Sequence, residues 1–272
     1  MFPSSRSYLP PHILILLIGL GQVIGCTEQA HTDSPAQVVI LAAASTKDAL
    51  QEMANAAVAA SDVPLTIEIS TGPSHALAQQ ILSGAPADIY VSANRQWAEQ
   101  IADAGLSAKS IEWLGNALVL VVPKESQLRI ERLDDLNLPA VQRIGIAGAN
   151  VPAGIYAEEA LKYHHLWENL TGSDKLIRGH DVRSTLAYVQ RGEVDAAIVY
   201  STDAMLTDEV RVIERFDPAS HEAIVYPLVR IRSRNTNPAA DHLFEFLQSD
   251  EARKIAENYG FVSLSNIDGV SK

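Results

Sequence analysis

Cysteine is almost absent from this chain of 272 residues, in which Cys26 stands alone. This scarcity excludes an intrachain disulfide and a cysteine-ligated metal site in the folded body. Basic residues are also few: 21 Lys and Arg stand against 33 Asp and Glu, for a formal net charge of −12. Because no Lys/Arg cluster is available to neutralise phosphates, the composition argues against nucleic acid as a partner.

The N-terminal residues have the pattern of a secretory signal. An apolar run at residues 13–21 is too short for a comfortable bilayer span and ends shortly before Val-Ile-Gly-Cys, which resembles a bacterial lipobox. We therefore predict a signal peptide at 1–25, lipidation of Cys26 and a polar tether at 26–37. The predicted location is the periplasmic side of the cell envelope, with a lipid anchor in the membrane. An ordinary cleaved signal and an uncleaved anchor are the alternatives.

From residue 38 onward, apolar strand-like runs alternate with segments of helical periodicity. This alternation predicts an α/β fold with mainly parallel sheets flanked by helices. The strand candidates are Val38–Ala43, Leu65–Ile69, Ile89–Ser92, Ala117–Val122, Arg143–Ala147, Ala196–Tyr200, Val210–Ile213 and Ile224–Ile231. The helix candidates are Thr46–Ala59, Ser74–Leu82, Gln96–Ala104, Pro152–His164, Val182–Arg191, Ala239–Leu247 and Asp250–Asn258.

Two short segments are predicted to be crossings between two lobes. One is Leu114-Gly115-Asn116, which precedes a strongly apolar strand, and the other is Val225-Tyr226-Pro227. They predict a first lobe made of residues 38–114 together with 227–272, and a second lobe inserted between them at 115–226.

Four strand-to-helix junctions could each present free backbone N–H groups. They lie before the helices predicted to begin near Thr46, Ser74, Pro152 and Val182. The first turn of a helix has N–H groups without intrahelical partners and a partial positive charge, so it binds tetrahedral anions without a cationic side chain. Each junction taken singly also reads as an ordinary capped helix. Loops at the carboxyl ends of strands gather where ligands bind, which favours a shared anion site.

Several stretches in this order resemble the periplasmic molybdate-binding proteins, which have the type II periplasmic-binding-protein fold. The resemblance runs from about Val38 to Ser263, and its most specific parts are GAPADIYVSA, VPAGIYAEEAL and DVRSTLAYVQRGEVDAAIVYSTDA. The resemblance implies two lobes joined by two hinge crossings. It also implies an oxyanion held by serine and tyrosine hydroxyls and by backbone amides, with no counter-charge.

Carried over position by position, the resemblance predicts that the oxyanion is bound by Ser45, Ser74, Ala153, Val182 and Tyr200. The two serines and the tyrosine would donate through hydroxyls, and all except the tyrosine through backbone N–H groups. Molybdate would be held through its oxygens, with no protein atom bound to the metal. The loop before the second helix departs from the family, because Pro73 has no N–H and His75 adds an ionisable group that we place at the rim.

A cage of donors favours particular anions. Phosphate near neutral pH carries protons that would meet only other donors, which leaves a buried polar group unpaired. Sulfate carries no proton but is smaller and would underfill the cage, so molybdate or tungstate is the predicted ligand. A binder of sulfate or another oxyanion is the nearest alternative.

Two other classes of function have weaker support in the sequence. Gly72-Pro73-Ser74-His75-Ala76 comes close to the nucleophile elbow of a serine hydrolase that would use Ser74, and Asp203 and His221 follow in the order of a triad. Zinc binding is weaker still, because His164 and His165 are adjacent and point in different directions on a helix. The resemblance instead implies a monomeric solute-binding protein without enzymatic activity or cofactor, which delivers its ligand to an ABC transporter permease.

Overall fold

The computed structural model describes residues 35–232 and 236–264, which form two β-sheets and their flanking helices. The predicted signal peptide and Cys26 lie outside the described residues. The strands are β1 (Ala36–Ala43), β2 (Leu65–Gly72), β3 (Ile89–Val91), β4 (Ser107–Gly115), β5 (Leu118–Pro123), β6 (Ile144–Ala147), β7 (Leu176–Gly179), β8 (Ala196–Tyr200), β9 (Val210–Arg215), β10 (Val225–Ile231) and β11 (Val262–Ser263). The helices are α1 (Lys47–Ala59), α2 (Ser74–Leu82), α3 (Arg95–Asp103), α4 (Pro152–Tyr163), α5 (Trp167–Gly172), α6 (Val182–Gln190), α7 (Ser201–Ala204), α8 (Pro238–Phe246) and α9 (Asp250–Asn258). Short 3-10 turns at Ala44–Thr46, Leu133–Asn137 and Pro218–Ser220 complete the elements.

The central strands are apolar along their whole length because helices cover both of their faces. Every residue of β6, β8 and β10 is buried, as are the first five residues of β5. Such continuous apolar runs are typical of strands without a solvent-facing side. Burial at this density positions the strand ends rigidly, and the cavity described below lies at those ends.

Both sheets are mixed, and this corrects the expectation of mainly parallel sheets. The strand orders are β11-β4-β10-β3-β1-β2 and β7-β6-β8-β5-β9. Among the described strands, β1 pairs in parallel with β2 and β3, and β6 pairs in parallel with β7 and β8. The remaining pairs, which involve β4, β5, β9, β10 and β11, are antiparallel. In each sheet an inner strand that receives the chain from the other sheet, β10 or β5, runs against the neighbours on both of its sides.

The chain passes between the two sheets twice. It leaves the six-stranded sheet after Gly115, enters the five-stranded sheet at Leu118, and returns from Arg215 to Val225. Two crossings are therefore present where two were predicted. Tyr226 lies in β10 and thus in the six-stranded sheet, and the residue bounds of the two lobes stay a prediction.

The predicted tether also needs a correction at its end. Ala36 and Gln37, which we placed in the tether, are the first residues of β1 and pair with Leu65 and Thr66 of β2. Their polar or small side chains gave no strand pattern, but the neighbouring strand supplies the backbone hydrogen bonds. In the described part of the chain, no helix has the length and apolarity needed to cross a bilayer.

Candidate functional site

The carboxyl ends of strands from both sheets meet around one cavity. It brings together all five residues that the sequence predicted for the oxyanion: Ser45, Ser74, Ala153, Val182 and Tyr200. Two of them follow β1 and β2 of the six-stranded sheet, and the other three follow or end strands of the five-stranded sheet. The geometry therefore joins positions that are up to 155 residues apart in the chain.

Helices that follow strands of both sheets begin at this cavity, and most of their N-termini lack a side-chain cap. The residues at the N-cap positions are Ala43 before the turn leading into α1, Pro73 before α2 and Val151 before α4, and none of their side chains accepts a hydrogen bond from the helix. All three line the cavity. Because the first N–H groups of a helix have no intrahelical acceptor, three sets of backbone donors are available here for a ligand.

The fourth junction, before α6, is capped in a way that leaves its first N–H group free. The Asp181 carboxylate accepts from the Ser184 backbone N–H at 2.7 Å, and the Asp181 N–H donates to the Ser184 hydroxyl at 2.9 Å. This capping box serves the third helical residue and the cap itself. The N–H of Val182 is outside this pattern, and Val182 lines the cavity.

The hydroxyl of Ser74 is held as an acceptor on one side, which leaves its proton for the cavity. Its Oγ accepts from the backbone N–H of Ala93 at 3.0 Å, and Tyr90 donates its hydroxyl to the Ser74 carbonyl at 2.8 Å. A backbone N–H can only donate. The Ser74 O–H is therefore free to donate to a ligand, and its role in binding stays a prediction.

Tyr200 is buried to 1% exposure, and its hydroxyl has no hydrogen-bond partner among the described residues. Burial, followed by the nearby Tyr226, raises the pKa of the Tyr200 phenol well above its ordinary value. The phenol therefore keeps its proton at neutral pH. An unpaired buried hydroxyl costs about 1–3 kcal/mol, and a ligand acceptor in the cavity would recover that cost.

The cavity lining contains no lysine or arginine among the described residues. The nearby Arg183 is already paired: its Nε lies 2.6 Å from Asp203 Oδ1, and its Nη2 donates to Asp48 at 2.6 Å and to the Ser45 carbonyl at 3.4 Å. Burial raises the pKa of the Asp203 carboxyl to about 7, against the lowering effect of Arg183. The lining itself offers neutral donors to an anion, and its charged residue Asp181 serves as the cap of α6.

Sequence reasoning missed a second layer of polar residues behind the cavity. Asn116 and Tyr226 contact each other, and Tyr226 contacts Ser45. Tyr156 of α4 donates its hydroxyl to the Ala93 carbonyl at 3.4 Å, and so links the two sheets across the cavity. Asn116 and Tyr226 lie in the two segments predicted as crossings. That position was the signal that could have drawn attention to them.

The arrangement does not assemble the triad considered for a serine hydrolase. Asp203 pairs with Arg183, and the half-buried His221 places its Nδ1 2.8 Å from the Glu222 carbonyl. His75 is absent from the cavity lining, and its ring lies 5.9 Å from that of Trp97. Within the described ranges, no group of three or more His, Cys, Asp or Glu residues could hold a metal ion.

Comparison with known proteins gives relatives over most of the chain. A family model described as bacterial extracellular solute-binding protein matches residues 38–262. A molybdate-binding protein of Haemophilus influenzae is 38% identical and covers 83% of this chain and 90% of its own length. The corresponding values for a molybdate-binding protein of Escherichia coli are 34%, 83% and 88%. A Bacillus subtilis protein, whose name proposes an ABC transporter substrate-binding lipoprotein, is 38% identical over 89% of this chain and 93% of its own.

Solved structures confirm the predicted two-lobe fold. The periplasmic molybdate-binding protein of Azotobacter vinelandii matches with a TM-score of 0.74 at 18% identity, over 83% of this chain and 98% of its own. The sulfate-binding protein of Mycobacterium tuberculosis matches with a TM-score of 0.71 at 18% identity, over 84% and 87%. At such identities the likeness concerns the fold alone, whereas the sequence relatives establish descent. The chain therefore belongs to the bacterial extracellular solute-binding protein family, and its relatives there include molybdate-binding proteins.

Proposed function

We propose that this protein captures molybdate or tungstate outside the cytoplasm and delivers it to the permease of an ABC importer. The proposal uses Ser45, Ser74 and Tyr200 as hydroxyl donors, and Ala153 and Val182 as backbone donors. It includes no catalytic step and no cofactor. The molybdate-binding relatives at 38% and 34% identity support the choice of ligand.

The observation that carries the proposal is the unpaired hydroxyl of Tyr200. It is fully buried, it lines the cavity, and it has no partner in the described part of the chain. Buried polar groups are nearly always hydrogen-bonded, so an unpaired donor facing a cavity indicates an acceptor that binds there. Helix N-termini without a side-chain cap surround the same cavity, and their backbone N–H groups are further hydrogen-bond donors.

A cage of donors selects a fully deprotonated anion. Hydrogen bonds from neutral donors to an ionised acceptor are about twice as strong as those between neutral groups. Hydrogen phosphate would bring a proton that finds no acceptor, at a cost of about 1–3 kcal/mol. Sulfate carries no proton, so its rejection depends on the size of the closed cage.

Contacts between the two sheets provide a mechanism for enclosing the ligand. Arg183 of α6 reaches the Asp48 carboxylate and the Ser45 carbonyl, both on the other sheet's side of the cavity. Tyr156 makes a further link to Ala93. We propose that the ligand completes these contacts by joining donors of both sides, and that the permease recognises the closed form.

A thermal-shift panel tests the ligand. The mature chain is heated with molybdate, tungstate, sulfate or phosphate, each at the same concentration. At about 1,000 times Kd, a ligand stabilises the native state by about 4 kcal/mol. We expect molybdate and tungstate to raise Tm, and sulfate and phosphate to have little effect. A response to sulfate alone, or to none of the four, would overturn the proposal.

A pair of tyrosine variants tests the site. Tyr200→Phe removes the buried hydroxyl, while Tyr163→Phe removes one from a side chain that is 53% exposed on α4. We expect Tyr200→Phe to abolish most of the molybdate shift and Tyr163→Phe to retain it. Equal responses in the two variants would place the ligand elsewhere.

Hydrolysis of a chromogenic ester by the same preparations and by Ser74→Ala tests the hydrolase alternative. We expect no turnover by any of these proteins.

We further propose that Cys26 carries the lipid anchor. Metabolic labelling with a radioactive fatty acid in a bacterial host should label the wild-type chain and leave Cys26→Ser unlabelled. Equal labelling of both would show that the lipid is attached elsewhere, and a processed but unlabelled wild type would show an ordinary signal peptide. Size-exclusion chromatography with light scattering tests the predicted monomer.

A further inference from the structure

Behind Ser45 lies a partly buried series of hydrogen bonds that connects the two crossings between the sheets. Asn116 occupies the first crossing, and its Nδ2 donates to the Tyr226 hydroxyl at 3.1 Å and to the Thr202 hydroxyl at 2.9 Å. Tyr226, in β10 just after the second crossing, lies 2.9 Å from the Ser45 Oγ. Ser45 lines the cavity. These hydrogen bonds therefore connect the first crossing with Ser45, at the wall of the proposed ligand site, without interruption.

The direction of each bond follows from one donor that cannot be reversed. The backbone N–H of Ala117 contacts the Asn116 side chain at 2.8 Å, and the atom facing it must be the acceptor Oδ1. Ser201 donates its hydroxyl to the same oxygen at 3.1 Å. The other end of the Asn116 amide is then Nδ2, which has only protons to offer. Tyr226 must therefore accept at its hydroxyl oxygen.

The proton of Tyr226 then has one destination. Its side chain is fully buried, and the acceptor within hydrogen-bond distance in the described structure is the Ser45 Oγ. If Ser45 donated instead, the Tyr226 proton would be buried without a partner, at a cost of about fivefold to more than a hundredfold in the population of that arrangement. Ser45 thus accepts from Tyr226, and its own proton is left to point into the cavity.

We propose that Asn116 and Tyr226 are positioning residues that orient the Ser45 hydroxyl as a donor to the bound anion. The inference rests on the proposed function, because it assumes an acceptor in the cavity. The proposal explains why the site prefers deprotonated anions. The backbone N–H of Ala117 fixes the orientation of the Asn116 amide, and this orientation makes Ser45 a donor toward the cavity. Neither residue contacts the ligand, so both act through Ser45.

A double-mutant cycle between Tyr226→Phe and Ser45→Ala tests the Tyr226 step. Kd for molybdate is measured by isothermal titration calorimetry in the wild type, both single variants and the double variant. We expect Tyr226→Phe to weaken binding about threefold to tenfold in the wild type, and to change it less than about twofold when residue 45 is alanine. An equal loss in both backgrounds would show that Tyr226 acts by packing, and would overturn the proposal.

A second cycle tests the direction of the chain. Asn116→Asp replaces the donating amide by an acceptor of the same shape, so Tyr226 would turn its proton toward residue 116 and Ser45 would donate to Tyr226. We expect molybdate affinity to fall at least about tenfold, the lower range for a lost hydrogen bond to a charged group. The added negative charge also repels the ligand, and the Asn116→Asp, Tyr226→Phe double variant isolates that part.

The cycle supports the proposal if the loss caused by Asn116→Asp is at least about threefold smaller in the Tyr226→Phe background than in the wild type. Equal losses would assign the effect to charge alone and contradict the proposal. Circular dichroism and Tm of each variant exclude unfolded protein, and the first cycle stands alone if Asn116→Asp does not fold. Failure of the proposed function is a distinct result, because the wild type itself would then bind no molybdate.

Discussion

The two sides of the cavity supply their donors by different means. On the side of the six-stranded sheet, the donors are the hydroxyls of Ser45 and Ser74. A serine hydroxyl can rotate, and here neighbouring hydrogen bonds set its orientation. On the side of the five-stranded sheet, Ala153 and Val182 have no polar side chain, and their backbone N–H groups are oriented by α4 and α6. Tyr200 is the exception there, since its side chain is fixed by complete burial.

This difference determines how each side can be altered. A hydroxyl is removed by a single substitution, whereas a backbone N–H can be displaced only by moving the backbone that holds it. The first side should therefore respond to loss of side-chain atoms. The second side should respond to changes that disturb packing or the buried ion pair beneath it.

The largest expected effect is on stability, from Arg183→Met. This change leaves the fully buried Asp203 without its partner, and breaking one half of a buried pair costs about 3–5 kcal/mol. Urea unfolding at pH 8 measures the loss. Arg191→Met is the matched control, because Arg191 pairs with the exposed Glu193 at a surface site. Similar stabilities for the two variants would refute a structural role for the buried pair.

Gly154→Ala should displace the backbone N–H donors at the start of α4, on the side of the five-stranded sheet. A Cβ at Gly154 would collide with the carbonyl oxygens of Gly148 and Ala147, so α4 must shift away from the end of β6. We expect a loss of about 1–3 kcal/mol in unfolding free energy, together with weaker molybdate binding. Gly172→Ala is the control, since nothing lies within 4 Å of a Cβ there. Unchanged binding in Gly154→Ala would show that the α4 N-terminus is not part of the site.

Removal of one hydroxyl from each side compares them directly. Tyr200→Phe and Ser45→Ala should each weaken molybdate binding by about 1.5–3 kcal/mol, the range for hydrogen bonds to charged groups. Calorimetric Kd values give both losses. We expect Tyr200→Phe to raise the Tm of the free protein as well, because an unpaired buried hydroxyl disappears. An unchanged Kd in both variants would contradict the proposed site.

The pH dependence of stability should carry a contribution from Asp203. Its pKa of about 7 in the folded protein lies above the ordinary value of 3.8, so the folded state holds a proton that the unfolded state has released. The contribution is full below pH 3.8 and is lost as the pH rises through about 7. Subtracting the unfolding free energy of Asp203→Asn from that of the wild type should give a difference that declines between pH 4 and pH 8. A flat difference would show that Asp203 does not titrate in this range.

The smallest expected effect is that of Asp48→Asn, which weakens the link between the two sides. The Asp48 side chain is 41% exposed, so its pair with Arg183 contributes less than about 1 kcal/mol after solvent screening. We expect molybdate to dissociate faster from Asp48→Asn than from the wild type in stopped-flow measurements. We also expect its dissociation rate to depend less on salt concentration. An unchanged dissociation rate at low salt would remove this pair from the closing contacts.

Much of the fold could be predicted because many elements have clear local patterns. The helices Ser74–Leu82 and Asp250–Asn258 were predicted with the bounds that the structure shows. Strand β4 was missed, since Ser107–Glu112 alternates too weakly and is half exposed or exposed. Its strand character comes from pairing with β10, which is more than 100 residues away in the chain. The antiparallel pairs were missed for the same reason.

The sequence by itself determined the α/β class, the two crossings and the five positions that meet at the cavity. These follow from local periodicity, from helix starts and from motifs whose order is visible in the chain. Only the tertiary structure decided that Arg183 is neutralised by two carboxylates, that the Tyr200 hydroxyl has no hydrogen-bond partner among the described residues, and that Asn116 and Tyr226 lie behind Ser45. Hydrogen-bond direction and burial depend on atoms from distant segments, and no local pattern in a sequence encodes them.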